Sequence, residues 1–560
     1  MWLLPFAILS LGAACVFVAS TAFDATAEHD LASLLRLLWY PNPDTGLNAI
    51  TNAGEVVAAV LAIAITVVAI IVELAATRYT HRVTELFVRE PVNFATMGFF
   101  VITALQCLMV SLTFDHTGDG SGFVPAASLR VAFGMLACCL LLLLPYFAFV
   151  FSFLNPLHIV ERIRSHTTRV LSPSRWRSSK SPLVMHQEAV RGVEQLADVG
   201  LNALENKDKG VCMASVGALS GLITDYEGYR GAMGAEWFQV EGDLASNSDF
   251  VSVDRDVLRT ITKQRIWFEM KVLRQYQTIY GEALNRMRDV NYVIAIDTRR
   301  IASHAASEGH WKLVDLCIKF FNTYLRATVN ASDVRTAYNV LQQYRLMAQD
   351  LLQYDGGTRG IEIATHFQYY GLISFQAKLP FILETVAYDL CELLEFAYDT
   401  KNPALNALLR IFLEVDKESE GEIQEQSLRG VRKAQVKLAT YFLVRDSEDL
   451  ARKIFDDMEH ERPERLASIR DELLGVRSAE FWEVSDRGMN FDYLTPERKQ
   501  KLMEFFEWYG ETLVPPRASN LPWGRSILPP TIPPGSPGAL ASVPPLSANP
   551  FLPDDDDSIS

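Results

Sequence analysis

Few residues of this sequence have the type and spacing of a chemical site, and the clearest pair is acidic. Glu55 and Glu73 lie 18 residues apart in an apolar segment, which corresponds to five turns of an α-helix and places both side chains on one face, roughly 27 Å apart. Thr66 shares that face. We predict that these three residues line either a polar path across a membrane or a narrow stripe at which helices pack closely. Gln106, in the next apolar segment, is predicted to hydrogen-bond a neighbouring helix.

A second pattern has the residue types of a metal site. His304, Glu308 and His310 form an H-x-x-x-E-x-H sequence, but His310 falls off the helical face shared by the other two. The chain also lacks a phosphate-binding glycine loop, an H-E-x-x-H motif and an EF-hand loop. We therefore predict no catalytic, cofactor-binding or metal-binding residues, and no enzymatic activity.

Four apolar segments dominate the first part of the chain. They cover residues 1–23, 53–76, 94–114 and 129–153. A helix needs about 20 apolar residues to cross the hydrocarbon of a bilayer, so the sequence predicts a transmembrane region of four helices. The first segment has an alternative interpretation as a cleaved signal peptide, although no Lys or Arg precedes its apolar core.

Basic residues near the ends of these segments predict the orientation. The loop after the second segment contains Arg78, Arg82 and Arg89, whereas the first and third loops are mainly acidic. Residues 155–182 form a predicted basic juxtamembrane linker, with the cluster Arg162, Arg164, Arg169, Arg175, Arg177 and Lys180. Since basic loops stay in the cytoplasm, the N-terminus and everything after residue 154 are predicted to be cytoplasmic. The cluster is also expected to attract anionic membrane lipid.

The remaining chain has the pattern of a helical domain followed by a tail. Residues 183–512 repeat the apolar rhythm of amphipathic helices, including one predicted over residues 254–282, and short turns separate them. The predicted fold is all-α, with a cytoplasmic domain of helical hairpins that resembles an α-solenoid or a bundle. Residues 513–560 are rich in proline and contain four consecutive aspartates, Asp554 to Asp557, near their end, which predicts a disordered tail.

Charge and cysteine content exclude several classes of protein. The net charge is −15, and residues after 154 hold 47 Lys and Arg against 57 Asp and Glu. A negative domain repels nucleic acid phosphates, so no nucleic acid partner is predicted. The seven cysteines include no C-x-x-C pair and none lies in a predicted external loop, so neither a disulfide framework nor a zinc site is expected.

Two stretches resemble a family of predicted bacterial membrane proteins of unknown function, over about residues 30–220. The first is TNAGEVVAAVLAIAITVVAIIVELAATRYTHRVTELFVREPVN, whose matching positions are Thr80, Arg82, Phe87 and Glu90, with His81 where the family has proline. The second is LADVGLNALENKDKGVCMASVGALSGLI, with Asn206, Lys207, Asp208 and Lys209 at the turn where the family has Asn-Asp-Pro. The resemblance implies a multi-pass protein of the bacterial inner membrane and implies no chemistry.

Taken together, these features predict a membrane-anchored interaction or scaffold protein with a cytoplasmic protein partner. The alternative is an oligomeric ion channel or transporter, in which copies of the second segment surround a polar path containing Glu55, Thr66 and Glu73. The alternative requires a homo-oligomer, whereas the scaffold does not.

Overall fold

The computed structural model describes residues 11–12, 14–16, 18–20, 43–78, 87–88, 90–114, 125–174, 182–415, 424–481 and 484–510. Within these ranges the regular structure is helical, and the only extended pairing is one antiparallel bridge between Glu480 and Met489. The predicted all-α fold, with apolar helices followed by a helical domain, is confirmed.

Three long apolar helices come first. They are α1 (Pro43–Arg78), α2 (Pro91–Ser111) and α3 (Ala126–Phe153), and each contains a stretch long and apolar enough to cross a bilayer. The predicted number of spans therefore needs correction: the described residues contain three such helices and not four. Most of the first predicted span, residues 1–23, lies outside the described residues, as do the tail 513–560 and the loop 115–124.

The three apolar helices pack against one another. Helix α1 contacts both α2 and α3, and α2 contacts α3. Small side chains allow these approaches: a Cβ on Gly54 would lie 3.3 Å from the Cβ of Cys107. The Cys139 thiol on α3 donates to the Thr103 hydroxyl on α2 over 3.4 Å. Close packing of this kind is what holds helices together in lipid. The hydrophobic effect does not drive their association there, because the lipid tails are as apolar as the side chains.

The segment predicted as a linker contains a helix, α4 (Pro156–Val170). Asn155 begins it, because its side chain accepts a hydrogen bond from the backbone N–H of Leu157 and proline follows at the first helical position. Helix α4 then packs on α5 (Pro182–Glu205) and α6 (Lys209–Arg230). A Cβ on Gly192 of α5 would come within 2.0 Å of the Thr167 hydroxyl, so only glycine permits this approach.

The helices that follow stack in two rows. The first row runs from α6 to α9 (Arg288–Ser307), α11 (Val334–Leu352), α13 (Pro380–Asp399) and α15 (Gln424–Val444), each contacting the next. The second row contains α8 (Trp267–Ala283), α10 (Trp311–Asn330), α12 (Thr358–Gln376) and α14 (Leu405–Leu413). Helices α16 (Glu448–Met458), α17 (Pro463–Gly475) and α18 (Pro496–Glu507) pack on α15. This arrangement of hairpins is the predicted solenoid-like one.

The same tight turn ends several of the described helices. A residue with positive φ follows the helix, and the next N–H donates to the carbonyl five residues earlier, as in Asp333 to Thr328 (3.1 Å) and Leu379 to Ser374 (2.8 Å). This is the Schellman arrangement, which satisfies carbonyls left free at a helix end. The positive-φ residues at such turns are Lys207, Gly309, Ser332, Lys378, Lys401 and Asp446.

One such turn corrects a prediction. The sequence predicts a single helix over residues 254–282, but the structure has α7 (Arg255–Gln264) and then α8. Arg265 between them has φ +58°, and the N–H of Ile266 donates to the carbonyl of Ile261 over 3.3 Å. No glycine or proline marks this break, and the apolar rhythm alone does not reveal it.

Candidate functional site

The predicted stripe of α1 lies on the outside of the three-helix unit. Glu55, Thr66 and Glu73 are all exposed, while Val57 and Val68 on the opposite side are buried against the neighbouring helices. The Thr66 hydroxyl donates to the carbonyl of Ala62 over 2.8 Å, so its hydrogen-bonding capacity is used within its own helix. The described residues of one chain therefore do not enclose these side chains in a path.

Gln106 lies half-buried on α2. Among the described residues, no hydrogen bond joins its side-chain amide to a neighbouring helix, so the predicted partner is not found there.

The basic cluster has several separate environments. Arg164 pairs with Asp225 of α6 at 3.4 Å, and Arg162 stacks over the Phe153 ring at 4.0 Å. Arg169 is exposed. The other three members, Arg175, Arg177 and Lys180, lie outside the described residues. Part of the cluster thus joins α4 to its surroundings, and Arg169 remains available to solvent or lipid.

The H-x-x-x-E-x-H sequence does not form a site. His304 and Glu308 are exposed on the surface of α9 and its end, whereas His310 turns into the domain. There the His310 Nδ1 atom lies 2.9 Å from a carboxylate oxygen of Glu227, 83 residues earlier in the chain. The prediction correctly separated His310 from the other two residues, but the partners that it meets were not predicted.

His310 meets two buried acids. One ligand atom from each of Glu227, Glu269 and His310 can be chosen so that all three lie within 4.8 Å of one another. Glu269 has no exposed surface, and the side chains of Glu227 and His310 are 8% and 9% exposed. We refer to these three residues as the acid–imidazole cluster.

Three helix ends position the acid–imidazole cluster. Glu227 lies in the last turn of α6 and Glu269 in the first turn of α8. The start of α8 is anchored by Trp267, whose indole N–H donates to the carbonyl of Trp237 over 2.6 Å. A carboxylate in the first turn is also favoured by the helix dipole.

The turn between α9 and α10 orients the imidazole. Gly309 has φ +73°, a conformation that glycine adopts without steric cost. The N–H of His310 then donates to the carbonyl of Ala305 over 2.8 Å, and α10 begins at Trp311. His310 is therefore held by the backbone of a helical hairpin, and its side chain reaches α6 across the hairpin.

The acid–imidazole cluster leaves several buried polar atoms without a hydrogen bond. They are both carboxylate oxygens of Glu269, one oxygen of Glu227 and the Nε2 atom of His310. The nearest cation to Glu269 is Arg230, whose Nε lies 3.6 Å away and outside hydrogen-bonding distance. Arg230 instead donates to the carbonyls of Gln264 and Arg265 at 3.3–3.4 Å.

The electrostatic consequence differs between the two acids. Burial, together with the charge of Glu227, raises the pKa of Glu269 well above its usual range. Burial also acts to raise the pKa of Glu227, but the hydrogen bond and charge of His310 outweigh it and lower that pKa. The cluster can therefore hold a proton between its carboxyl groups or a cation among its three side chains.

A signal for one member of the acid–imidazole cluster, Glu269, was present in the sequence. Glu269 and Lys271 interrupt the apolar run IWFEMKVL at residues 266–273, and both are fully buried. Charged residues inside such a run are seldom buried without a partner. The partners themselves were not predictable, because Glu227 and His310 come from other hairpins.

Comparison with known proteins gives information on the membrane part of the chain. No curated protein shows significant similarity to the chain. Residues 1–198 match the family described as "Predicted membrane protein (DUF2254)", so the predicted resemblance to membrane proteins of unknown function is confirmed, over α1 to α4 and most of α5. The acid–imidazole cluster lies outside this matched region.

Proposed function

We propose that the chain is a membrane-anchored interaction protein, which holds a helical domain at the cytoplasmic face of the bacterial inner membrane for a protein partner. The N-terminus shares that side only with an even number of spans, so the proposal requires residues 1–23 to cross the bilayer in addition to α1, α2 and α3. The connection between α3 and α4 supports the anchoring role: only Leu154 and Asn155 separate them, and buried residues of both helices belong to one apolar core. A domain joined in this way stays close to the bilayer. We expect no catalysis by the chain.

The observation that carries the proposal is a groove at the end of the second row of helices. It lies between α14 and α16, with a volume of about 450 Å³. Apolar Leu409 and Leu413 line it together with charged residues of both helices, among them Arg410, Lys453 and Asp456. Stacked helical hairpins commonly bind partners along such surfaces, and a mixed apolar and charged lining suits a peptide segment.

Charge reversal in the groove tests the proposal. Arg410 and Lys453 are exposed, so the double variant Arg410→Glu with Lys453→Glu should leave the fold intact. A partner protein that crosslinks to the unaltered chain in membranes should no longer crosslink to this variant. Lys319→Glu, at an exposed position on α10, is the matched control and should retain it. Recovery of the same partner with the groove variant, or of no specific partner with the unaltered chain, would contradict the proposal.

A lipid contact is part of the same proposal. Arg169 is exposed on α4, the helix that directly follows the last apolar helix, α3. A basic side chain near anionic headgroups contributes about 1 kcal/mol of attraction. Arg169→Ser should therefore reduce binding of a fragment beginning at residue 155 to vesicles with phosphatidylglycerol, and a variant with unchanged binding would exclude this contact.

The alternative is an oligomeric channel or transporter using Glu55, Thr66 and Glu73. These residues are exposed on α1, so a path would need several copies of the chain around a common axis. The interaction proposal expects a low-order assembly in lipid nanodiscs and no change in ion flux for Glu55→Gln with Glu73→Gln. A closed ring whose flux depends on these two acids would support the alternative instead.

A further inference from the structure

We propose that Glu227, Glu269 and His310 bind a divalent transition-metal ion, which joins α6, α8 and α10 inside the domain. The proposal is independent of the partner-binding function. It rests on the geometry of the acid–imidazole cluster, on its unsatisfied polar atoms and on its charge.

The spacing of the three side chains suits a shared ion. Zinc binds imidazole nitrogen and carboxylate oxygen at about 2.0–2.2 Å, which puts two ligands of a tetrahedral site roughly 3.4 Å apart. The contact between His310 and Glu227 is 2.9 Å, and all three ligand atoms lie within 4.8 Å of one another. A shift of the Glu269 carboxylate by roughly 1 Å, reached by side-chain rotation, would complete a three-ligand set.

The unsatisfied atoms indicate that the cluster can accept a bound species. Both oxygens of Glu269, one of Glu227 and the Nε2 of His310 are buried without a hydrogen bond. Buried polar atoms in native proteins almost always have a partner, and a carboxylate without one is costly. A single cation coordinated by the three side chains would satisfy the two carboxylates together.

A second buried charge on the same helix shows how the chain ordinarily satisfies such groups. Lys271, two residues after Glu269, is also fully buried. Its ammonium group donates to Glu194 at 2.8 Å, to Asn247 at 2.7 Å and to Asp249 at 2.5 Å. Lys271 therefore has three oxygen partners, whereas Glu269 faces Arg230 at 3.6 Å and the second acid, Glu227. A cation from outside the chain would supply the counter-charge that Glu269 does not find at hydrogen-bonding distance.

The ligand types restrict the ion. An imidazole with two carboxylates suits zinc, manganese or ferrous iron, whereas magnesium and calcium prefer oxygen ligands alone. Two carboxylate charges balance a divalent ion. Since Glu269 has no exposed surface, the ion would be enclosed, which is typical of a structural role. Binding would then stabilise the packing of three hairpins, since an ion that binds the folded state raises its stability.

Zinc binding by the full chain in detergent tests the proposal. After removal of any affinity tag and of bound metal by a chelator, the unaltered chain should take up and retain one added Zn²⁺ per chain by elemental analysis, and Zn²⁺ but not Mg²⁺ should raise its Tm. Glu269→Gln should weaken Zn²⁺ binding at least tenfold and abolish the rise in Tm. This variant should still fold, because glutamine matches glutamate in size and has no charge to be buried beside Glu227.

A matched pair of controls separates this site from the sequence pattern. His304→Gln and Glu308→Gln alter exposed residues of the H-x-x-x-E-x-H sequence and should bind Zn²⁺ as the unaltered chain does, whereas His310→Gln should not. Equal binding by the unaltered chain and Glu269→Gln, or no retained zinc in the unaltered chain, would overturn the proposal. The cluster would then be a pair of carboxyl groups that share a proton.

Discussion

Asp297 is an acid whose charge is opposed by its position in the domain. It lies on α9, only 6% exposed, where the Tyr276 hydroxyl donates to it over 3.3 Å and the exposed Arg300 is 3.7 Å away. Burial raises its pKa to about 6, although Arg300 and Tyr276 act in the opposite direction. The folded chain therefore holds a proton on Asp297 at pH values where the unfolded chain has lost it.

This difference predicts a pH dependence of stability. Because the folded-state pKa is above the unfolded one, the contribution of Asp297 to stability falls as the pH rises from about 4 to 6. Asp297→Asn should remove that decrease and raise the free energy of unfolding at pH 7 by up to about 3 kcal/mol. Urea denaturation in detergent micelles, followed by tryptophan fluorescence, measures it at pH 4, 6 and 7.

The control for this prediction is an acid on the surface. Asp256→Asn alters a side chain that is 82% exposed in its pair with Arg259, and it should change stability by less than about 0.5 kcal/mol at each pH. The prediction is contradicted if Asp297→Asn changes the free energy of unfolding as little as Asp256→Asn does, or if it raises that free energy most at pH 4. The charge of buried Asp297 would then not oppose folding.

Single residues were the least predictable level of this molecule. Periodicity predicts that Glu55, Thr66 and Glu73 share one helical face, but it cannot say which face a helix turns towards its neighbours. The acid–imidazole cluster depends on contacts between residues up to 83 positions apart. Such contacts arise from how hairpins stack, so the local sequence contains only the anomaly of charges within an apolar run.

At the scale of elements, the tight turns explain how short connections join antiparallel helices. Lys401 adopts φ +51° after α13, and the N–H of Asn402 donates to the carbonyl of Ala397 over 2.8 Å. A residue with a Cβ is disfavoured by about 1–2 kcal/mol in this conformation, and glycine is not. Lys401→Gly should therefore stabilise the domain by about 0.5–1 kcal/mol, after allowing for the greater freedom of glycine in the unfolded chain.

The sign of the effect depends on backbone conformation, which provides a matched control. Lys319 is equally exposed but lies inside α10. Lys319→Gly should destabilise the domain by about 1 kcal/mol, because glycine is a poor helix former. Opposite shifts in Tm for the two variants are expected in a thermal scan, and a loss of stability in both would contradict the proposed turn geometry.

The close approach of α4 and α5 gives a second prediction at this scale. A Cβ at Gly192 would lie 2.0 Å from the Thr167 hydroxyl and 3.0 Å from its Cβ, and Thr167 is fully buried. Gly192→Ala should therefore separate the helices and lower stability by about 1–3 kcal/mol.

Another helical glycine tests whether the clash is the cause. Gly217 lies within α6, and a Cβ there meets nothing within 4 Å. Gly217→Ala should raise stability by up to about 1 kcal/mol, since alanine favours the helix. Differential scanning calorimetry compares the two variants, and a destabilised Gly217→Ala or a neutral Gly192→Ala would be inconsistent with the contact.

Elements were more predictable than the contacts between them. Apolar periodicity indicated the helical domain, and local caps begin its helices: the Thr495 hydroxyl at the start of α18 accepts a hydrogen bond from the N–H of Arg498 at 3.4 Å. Two errors had a common origin. Helix α4 was hidden in a segment rich in arginine and serine, and the break at Arg265 lacked glycine or proline. In both cases tertiary packing decided the structure where local propensity was weak.

At the scale of the whole molecule, one apolar core extends from the membrane helices into the domain. It includes Val68 and Val72 of α1, Tyr146 and Val150 of α3, and then residues of α4 to α18. The predicted boundary at residue 183 therefore divides packed elements. The contacts of α4 with α5 and α6 favour a domain that begins near residue 155.

This boundary predicts the behaviour of two fragments. Helix α4 buries Ile159, Ile163 and Val170, each at most 4% exposed, and burial of such a side chain contributes about 1.5–3 kcal/mol. A fragment of residues 155–510 should therefore have a higher Tm than one of residues 182–510, which exposes the matching faces of α5 and α6.

Ile163→Asp in the longer fragment should lower its Tm towards that of the shorter one, because a charge cannot be buried there without a partner. Arg169→Ala, at an exposed position of the same helix, should not. Equal Tm values for the two fragments would mean that α4 belongs to the membrane anchor alone, and the anchor would then be free to move relative to the domain.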